Sequence, residues 1–465
     1  MDRNAMLRAA TAGRSFDLIV IGGGATGLGI AVDAITRGYS VLLLEARDFG
    51  SGTSSRSTKL AHGGVRYLRN GQIGLVREAL RERGLLRRNA PELVRDLSFI
   101  VPLYAPLDWP MYGAGLFLYD KLAGRYAFGP TEFLNPRETV QRLPDVRRSG
   151  LRGGILYHDG QVDDARLMVQ LARTAVDHGA VLLNYAPAVD VQQGKRVRWR
   201  DEESGDEAMA EAKVVINAAG PFSDEVRRLA EPGAAWTVAT SRGSHIVVAG
   251  EFLRGGNALM VPRTPDRRVL FAIPWFGHTL IGTTDTPVPS PQFDPEASEE
   301  EIGFMLNTAR TCMENAPSRA DVLSSFAGIR PLVARAGASS TAALSRDHTI
   351  RIERSGMLTI LGGKWTTYRS MAEDCVNRAA RHGGLPECPC RTRELPLRRL
   401  DRYEPGLPLH ASVPWTEADV EHAVRHEMAR TTDDVLSRRT RIRLLNSAVA
   451  EAVKSRVAQL VAQFR

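Results

Sequence analysis

A chain of 465 residues, 43% hydrophobic and 25% charged, is globular rather than disordered and too long for one ordinary core, so two or three domains are expected. A net charge of +8 suits nucleic acid, an anionic membrane surface or an anionic substrate, and with no nucleic-acid-binding motif in the chain no nucleic-acid partner is expected. Four cysteines (Cys312, Cys375, Cys388, Cys390) are too few for a disulfide framework and lack zinc spacing, which points to a reducing compartment and reads the Cys388/Cys390 pair as two loop thiols rather than a redox or metal pair.

In chain order, the opening MDRNAMLRAATAGRSFD is polar and holds no apolar run for a signal peptide, so a cytoplasmic protein is expected. Residues 16–21 are a β-branched, apolar run suited to a buried parallel strand. Gly22, Gly24 and Gly27 follow in G-x-G-x-x-G spacing, then an apolar-periodic helix to about Arg37, a stop at Gly38, and a second buried strand at Ser40–Leu44 that ends in Glu45. This unit binds a dinucleotide: the glycines allow a tight turn and a close backbone approach, the helix N-terminus faces the pyrophosphate, and Glu45 takes the ribose hydroxyls. The loop after Glu45, ARDFGSGTSSRSTKLAHGGVRYL, is rich in Ser, Thr and Gly and runs along a cofactor better than it begins a crossover, which favours FAD over a nicotinamide.

Residues 71–88 read as an amphipathic helix with Arg77, Arg81, Arg83, Arg87 and Arg88, either a solvated face paired with Glu78 and Glu82 or, with the apolar 109–119 stretch, a surface for anionic lipid. The stretch 98–120 is broken by Asp108, three prolines and two glycines and cannot span a bilayer. A helix is expected at 164–178, strands near 181–184, 187–193 and 196–200, and a buried strand at 212–217 running into a glycine turn that carries Ala218 and Gly220 back to the cofactor. A β-rich region spans about 236–350, interrupted by a helix near 298–315, then a hairpin-like pair at 343–361, and a Gly-Gly turn whose following helix carries Lys364, Thr366 and Thr367 in its first turn. Beyond 391 the chain is Arg-rich, then helical.

Together LIVIGGGATGLGIAVDAITRGYSVLLLEARDF, TSSRSTKLAHGGVRYL, GLFLYDKLAG, VDDARL, VINAAGPF, RGSHIVV, VLFAIPW, IGTTDT, FAGIRPL and LGGKWTTYR resemble, in order and spacing over about 16–445, the FAD-dependent, quinone-linked glycerol-3-phosphate dehydrogenases. The resemblance implies an α/β with α+β fold: a Rossmann-like FAD-binding domain (16–75, 150–230 and 355–385), an antiparallel-sheet substrate domain of the amino-acid-oxidase type (76–149 and 231–354), and a shortened helical C-terminal domain (395–465). It implies oxidation of sn-glycerol 3-phosphate by hydride transfer to FAD, with electrons passed to a membrane quinone at the inner face of the cytoplasmic membrane, and it leaves a homodimer open. An oxidase using oxygen, or a relative acting on an amine or 2-hydroxy acid, are the alternatives.

The residues expected to hold FAD are Gly22, Gly24, Thr26, Gly27, Glu45, Thr53, Ser54, Arg56, Ser57, Lys59, His62, Gly63, Gly64, Ala218, Gly220, Gly363, Lys364 and Thr366. Arg66, Tyr67, Arg330 and Lys364 are expected to bind the substrate dianion, with Arg56 offsetting pyrophosphate charge. His245, Arg330 and Lys364 are the catalytic candidates: His245 as the base for the C2 hydroxyl, with His62 packed against the flavin, and Lys364 holding charge at the reduced flavin.

Overall fold

The β-branched run before the glycines forms the strand Ser15–Ile21, with Leu18 to Ile21 fully buried. Its side chains alternate between two cores: Leu18 and Val20 pack with the helices Ala25–Thr36, Asp164–Asp177 and Tyr368–His382, whereas Ile19 and Ile21 pack with Trp199 and the N-terminal helix Arg3–Ala10. That first helix goes beyond the sequence reading, and buried Arg3 ties it to Asp201 at 2.6 Å. The computed structural model describes residues 1–264, 268–333 and 347–465, with the backbone alone at 66, 69 and 70.

Among these residues the first sheet runs, edge to edge, His348–Ile352, Leu358–Gly362, Glu207–Asn217, Ser15–Ile21, Val41–Leu44, Val181–Leu183, with Arg196–Arg200 and Ala188–Gln192 branching off Glu207–Asn217. Ser15–Ile21 is parallel to both neighbours, and Glu207–Asn217 is parallel to Leu358–Gly362. Gly22, Glu45, Ala218 and Gly363 therefore all lie at carboxyl ends of parallel strands, where open α/β sheets bind ligands.

The second sheet runs Thr286–Val288, Val238–Ala249, His278–Gly282, Leu270–Trp275, Ala258–Val261, Val94–Leu103, Gly153–Val162, Leu60–Ala61, and Ser324–Val333 also pairs with Val238–Ala249. It is antiparallel except where Ala258–Val261 runs parallel to Val94–Leu103. Two expected domain limits shift. Gly153–Val162 pairs with Val94–Leu103 over ten residues and so belongs to this second sheet, although 150–230 was assigned to the cofactor domain; His348–Ile352 belongs to the first sheet, not the substrate region. The interrupting helix is Glu299–Arg310, shorter than expected, and 343–346 of the expected hairpin lie outside the described residues.

The helix Ile73–Asn89 corrects the reading of its charges. Arg83 is buried on Asp159 at 2.7 Å, and Glu82 is buried on Arg369 at 2.6 Å, with Arg81 of its own helix further off at 3.4 Å. Among the described residues no helix is long and apolar enough to cross a membrane.

C-terminal helices Glu417–Glu427 and Ser447–Phe464 cover one face of the second sheet. The turn between them reaches across to the first: buried Asp48, three residues past Glu45, accepts hydrogen bonds from Arg438 Nε (2.5 Å) and from Arg439 Nη1 and Nη2 (2.7 and 2.9 Å). Burial raises the Asp48 carboxyl, but Arg439 and Arg438 outweigh it and hold the group below the usual carboxylate range.

Candidate active site

A cleft of about 410 Å³ runs along the strand ends of the first sheet, lined by Gly22, Gly24, Thr26, Glu45, Thr53, Ser54, Ala218, Gly220, Gly363 and Lys364. The turn that opens it is made possible by Gly27: a Cβ there would stand 1.8 Å from the Gly22 carbonyl oxygen. Gly24 caps the helix Ala25–Thr36 without a side-chain bond, so the helix's first N–H groups face the cleft, and Ser54 Oγ accepts one of them, Ala25 N, at 2.9 Å. Glu45 accepts from Gly23 N (2.5 Å) and Arg47 N (2.8 Å), which fixes its carboxylate at the far end. Acid, helix N-terminus and lysine line one cleft, and this donor set fits FAD.

Some expected cofactor residues are drawn elsewhere. Arg56 pairs with Asp294 at 2.6 Å, which Arg47 shares, instead of offsetting charge at the glycine turn. Ser57 Oγ donates to Asp164 at 2.7 Å, and Lys59 is buried on the same carboxylate at 2.9 Å. Burial lowers the Lys59 pKa, and Asp164 works against that fall. Lys364, Thr366 and Thr367 lie in or beside a 3₁₀ turn, one turn before the helix Tyr368–His382 begins.

A second cavity of about 180 Å³ lies in the substrate sheet, lined among others by Thr58, His62, Gly64, Tyr67, Tyr157, Asp159, Arg268, Asp285 and Arg330. Lys364 links the two spaces: it lines the cofactor cleft while its Nζ stands 3.9 Å from the Tyr67 ring centroid. The loop KLAHGGVRYL is held from several sides. His62 N donates to Thr366 Oγ1 and the Thr366 hydroxyl donates to the His62 carbonyl, both at 3.2 Å. Gly63 N donates to Tyr119 Oη at 2.7 Å, and Tyr119 donates to Asp159 at 2.6 Å. Burial and the Asp159 charge raise the Tyr119 pKa well above the ordinary phenol value, so it remains a donor. Gly64 adopts φ +75, and a Cβ there would meet the Tyr67 ring at 2.4 Å. The Arg66 side chain lies outside the described residues.

Arg330 is aimed by three oxygens: Thr283 Oγ1 at 3.0 Å, the Thr284 carbonyl at 3.0 Å and Asp285 at 3.2 Å. Arg268 pairs with the other Asp285 oxygen. The sequence reading missed Arg268, because nothing in VLFAIPW announces a cation just before its strand. His245 is only 2% exposed, stacked on Phe326 with centroids 5.0 Å apart, and reached by Thr58 Oγ1 at 2.9 Å from Nε2. Burial, then the positive charges of Arg330 and Lys59, lower its pKa well below the ordinary imidazole value, so the ring is neutral at physiological pH. Thr58 is also absent from the sequence reading: it lies in an irregular segment before the strand Leu60–Ala61 and has no motif of its own, and only the fold shows Ser57 and Lys59 drawn to Asp164 on either side of it.

A family profile described as FAD dependent oxidoreductase matches residues 17–369, and one described as the C-terminal domain of alpha-glycerophosphate oxidase matches 390–464. The mitochondrial glycerol-3-phosphate dehydrogenase SDP6 of Arabidopsis thaliana is 38% identical over 98% of this chain and 84% of its own length. The mitochondrial glycerol-3-phosphate dehydrogenase of Homo sapiens is 38% identical over 99% of this chain and 72% of its own. A solved glycerol-3-phosphate dehydrogenase from Bacillus halodurans, complexed with FAD, superposes with a TM-score of 0.78 at 29% identity, covering 99% of this chain and 93% of that one. An L-alpha-glycerophosphate oxidase from Mycoplasma pneumoniae with FAD bound shares the fold at a TM-score of 0.64 and 16% identity, covering 84% of this chain and all of its own.

Proposed function

The chain belongs to the FAD-dependent glycerol-3-phosphate dehydrogenase family, and from that membership we propose that it oxidises sn-glycerol 3-phosphate to dihydroxyacetone phosphate. Bound FAD supplies the hydride acceptor. The observation that carries the reading is the aimed guanidinium of Arg330 in a small cavity that Lys364 joins to the cofactor cleft. Arg330, with Arg268 beside it, presents fixed positive charge to a phosphate dianion. Tyr67, which lines the same cavity, and Arg66 are the further substrate ligands of this reading, and Lys364 would hold charge at the reduced flavin. His245, kept neutral, is the final acceptor of the C2 hydroxyl proton.

The test is an anaerobic visible spectrum of the purified protein before and after sn-glycerol 3-phosphate. Immediate bleaching of the yellow flavin is expected, and a flavin that stays yellow would send the substrate back to carboxylates and amines.

The electron acceptor proposed is a membrane quinone, reached from a lipid surface. Its support is the helix Asp108–Ala123 and its edges, where Leu107, Trp109, Met111 and Phe117 are 72, 54, 59 and 52% exposed, with Trp109 stacked on exposed Phe133 at 4.6 Å and Lys121 and Arg125 nearby in sequence. Replacing Leu107, Trp109 and Phe117 together with serine is expected to cut pelleting with anionic vesicles at least tenfold, since each buried apolar side chain contributes about 1.5–3 kcal/mol. Bleaching by substrate should stay intact. Unchanged pelleting would remove this face from the proposal, and reoxidation of the bleached flavin by oxygen faster than by quinone would favour an oxidase.

A further inference from the structure

We propose that Thr58 is a catalytic residue: its hydroxyl takes the proton of the substrate's secondary alcohol as it passes its own proton to His245 Nε2. This rests on the alcohol-oxidising reading above and adds the atom that meets the substrate.

His245 is poorly placed to meet it directly. It is 2% exposed, its ring lies flat on Phe326 at an interplanar angle of 19°, and on its strand partner Gly282 a Cβ would fall 2.2 Å from the ring. A ring confined between strands in this way does not swing out into the cavity. Thr58 bridges the gap, lining the cavity while its Oγ1 stands 2.9 Å from Nε2.

The relay requires one polarity of that contact. Burial first, then the charges of Arg330 and Lys59, disfavour an imidazolium, so the resting ring is neutral. Nδ1 finds no hydrogen-bond partner among the described residues, which leaves Nε2 as the nitrogen that makes a polar contact. The relay takes the neutral ring as protonated at Nδ1, the tautomer in which Nε2 accepts and Thr58 donates, leaving the Thr58 lone pairs for the substrate hydroxyl.

The relay is also held in place. Ser57 N and Oγ donate to Asp164 at 3.1 and 2.7 Å, and Lys59 Nζ reaches the same carboxylate at 2.9 Å. Thr58 is thereby pinned on both sides by one buried anion, and its hydroxyl needs no rearrangement when substrate enters.

The step balances. The substrate O–H bond breaks as one forms at Thr58 Oγ1, the original Thr58 O–H breaks as an N–H forms at Nε2, and bound FAD would supply the acceptor for the C2 hydrogen and its electron pair. The extra proton leaves Nε2 by the reverse path, through Thr58 Oγ1 to water entering the cavity after product departs, and the cations beside the ring favour that release.

The experiment is stopped-flow flavin reduction of the FAD-loaded enzyme under anaerobic conditions, across a range of sn-glycerol 3-phosphate, in H₂O and D₂O. Thr58→Val keeps the shape and removes the hydroxyl. It is expected to lower the limiting reduction rate by about 10²–10⁴-fold, the usual range for acid–base catalysis, with substrate affinity within about threefold of wild type. Thr58→Ser restores the hydroxyl and is expected to recover the rate to within about tenfold, together with the solvent isotope effect that the Val variant lacks. Bound flavin per protein and the melting temperature of each variant exclude a folding defect. A Val variant reduced as fast as wild type, or one weakened only in affinity, overturns the relay alone. A wild-type flavin that glycerol 3-phosphate does not bleach overturns the substrate reading and the relay with it.

Discussion

Replacing Arg330 with alanine is expected to raise the KM for glycerol 3-phosphate by about 10- to 150-fold, the equivalent of about 1.5–3 kcal/mol for a hydrogen bond to a charged group. The guanidinium is set by two threonines and Asp285 before any substrate arrives, so its removal leaves no neighbour able to move into its place. Arg268, paired to the same Asp285, retains part of the positive field, which keeps the loss short of complete. FAD should stay bound, because Arg330 lines the substrate cavity and not the cofactor cleft. A second effect has a defined sign. Arg330 is one of the two cations that depress the His245 pKa; without it that pKa rises. A base must be neutral to act, so the acidic limb of the kcat/KM profile should move to higher pH in the variant. Steady-state kinetics over a pH series, with the flavin absorbance of each sample, check both. An unchanged KM would remove Arg330 from the substrate site.

Gly27→Ala is expected to leave a colourless protein. The added methyl would stand 1.8 Å from the Gly22 carbonyl oxygen, a backbone atom that cannot retreat without lifting the whole turn off the strand end. The clash falls where helix and strand must approach for the N–H groups to reach a pyrophosphate. A cofactor bound at 100 times its dissociation constant contributes about 2.7 kcal/mol to folding, so loss of FAD should also lower the melting temperature. Absorbance near the flavin band per mole of protein, and a melting curve with and without added FAD, measure this. A variant with full flavin content would show that the turn tolerates the displacement.

Local patterns carried much of this molecule into view. The glycine spacing, the carboxylate of Glu45, the return of Ala218 to the first strand and the pair Arg330 and Lys364 are all features of a few adjacent residues, and the structure brings them to one cleft and one cavity. What stayed hidden depends on partners far away in sequence. Arg83 reads as one more surface arginine in a basic helix until Asp159 is beside it, 76 residues on. Lys59 and Ser57 read as cofactor ligands in a polar loop until Asp164 claims both. A charge in a sequence is assigned to solvent by default, and only the fold supplies the opposite charge that makes burial affordable. The strand Gly153–Val162 falls inside the range expected for the cofactor domain for a related reason: its partner Val94–Leu103 lies about 60 residues away, and nothing in GGILYHDGQV says which sheet it joins.

The grip of Arg438 and Arg439 on Asp48 has a consequence for the order of events in the cell. The loop after Glu45 emerges from the ribosome early, and its anchor follows 390 residues later. At about 5–20 residues per second, roughly 20–80 s separate the two. For that interval the nascent chain can form its first strands and helix but holds Asp48 without its counterions, a buried position that a lone carboxylate resists. The loop after Glu45 therefore reaches its full set of contacts only when the arginine turn arrives, long after the glycine-rich segment itself has been made.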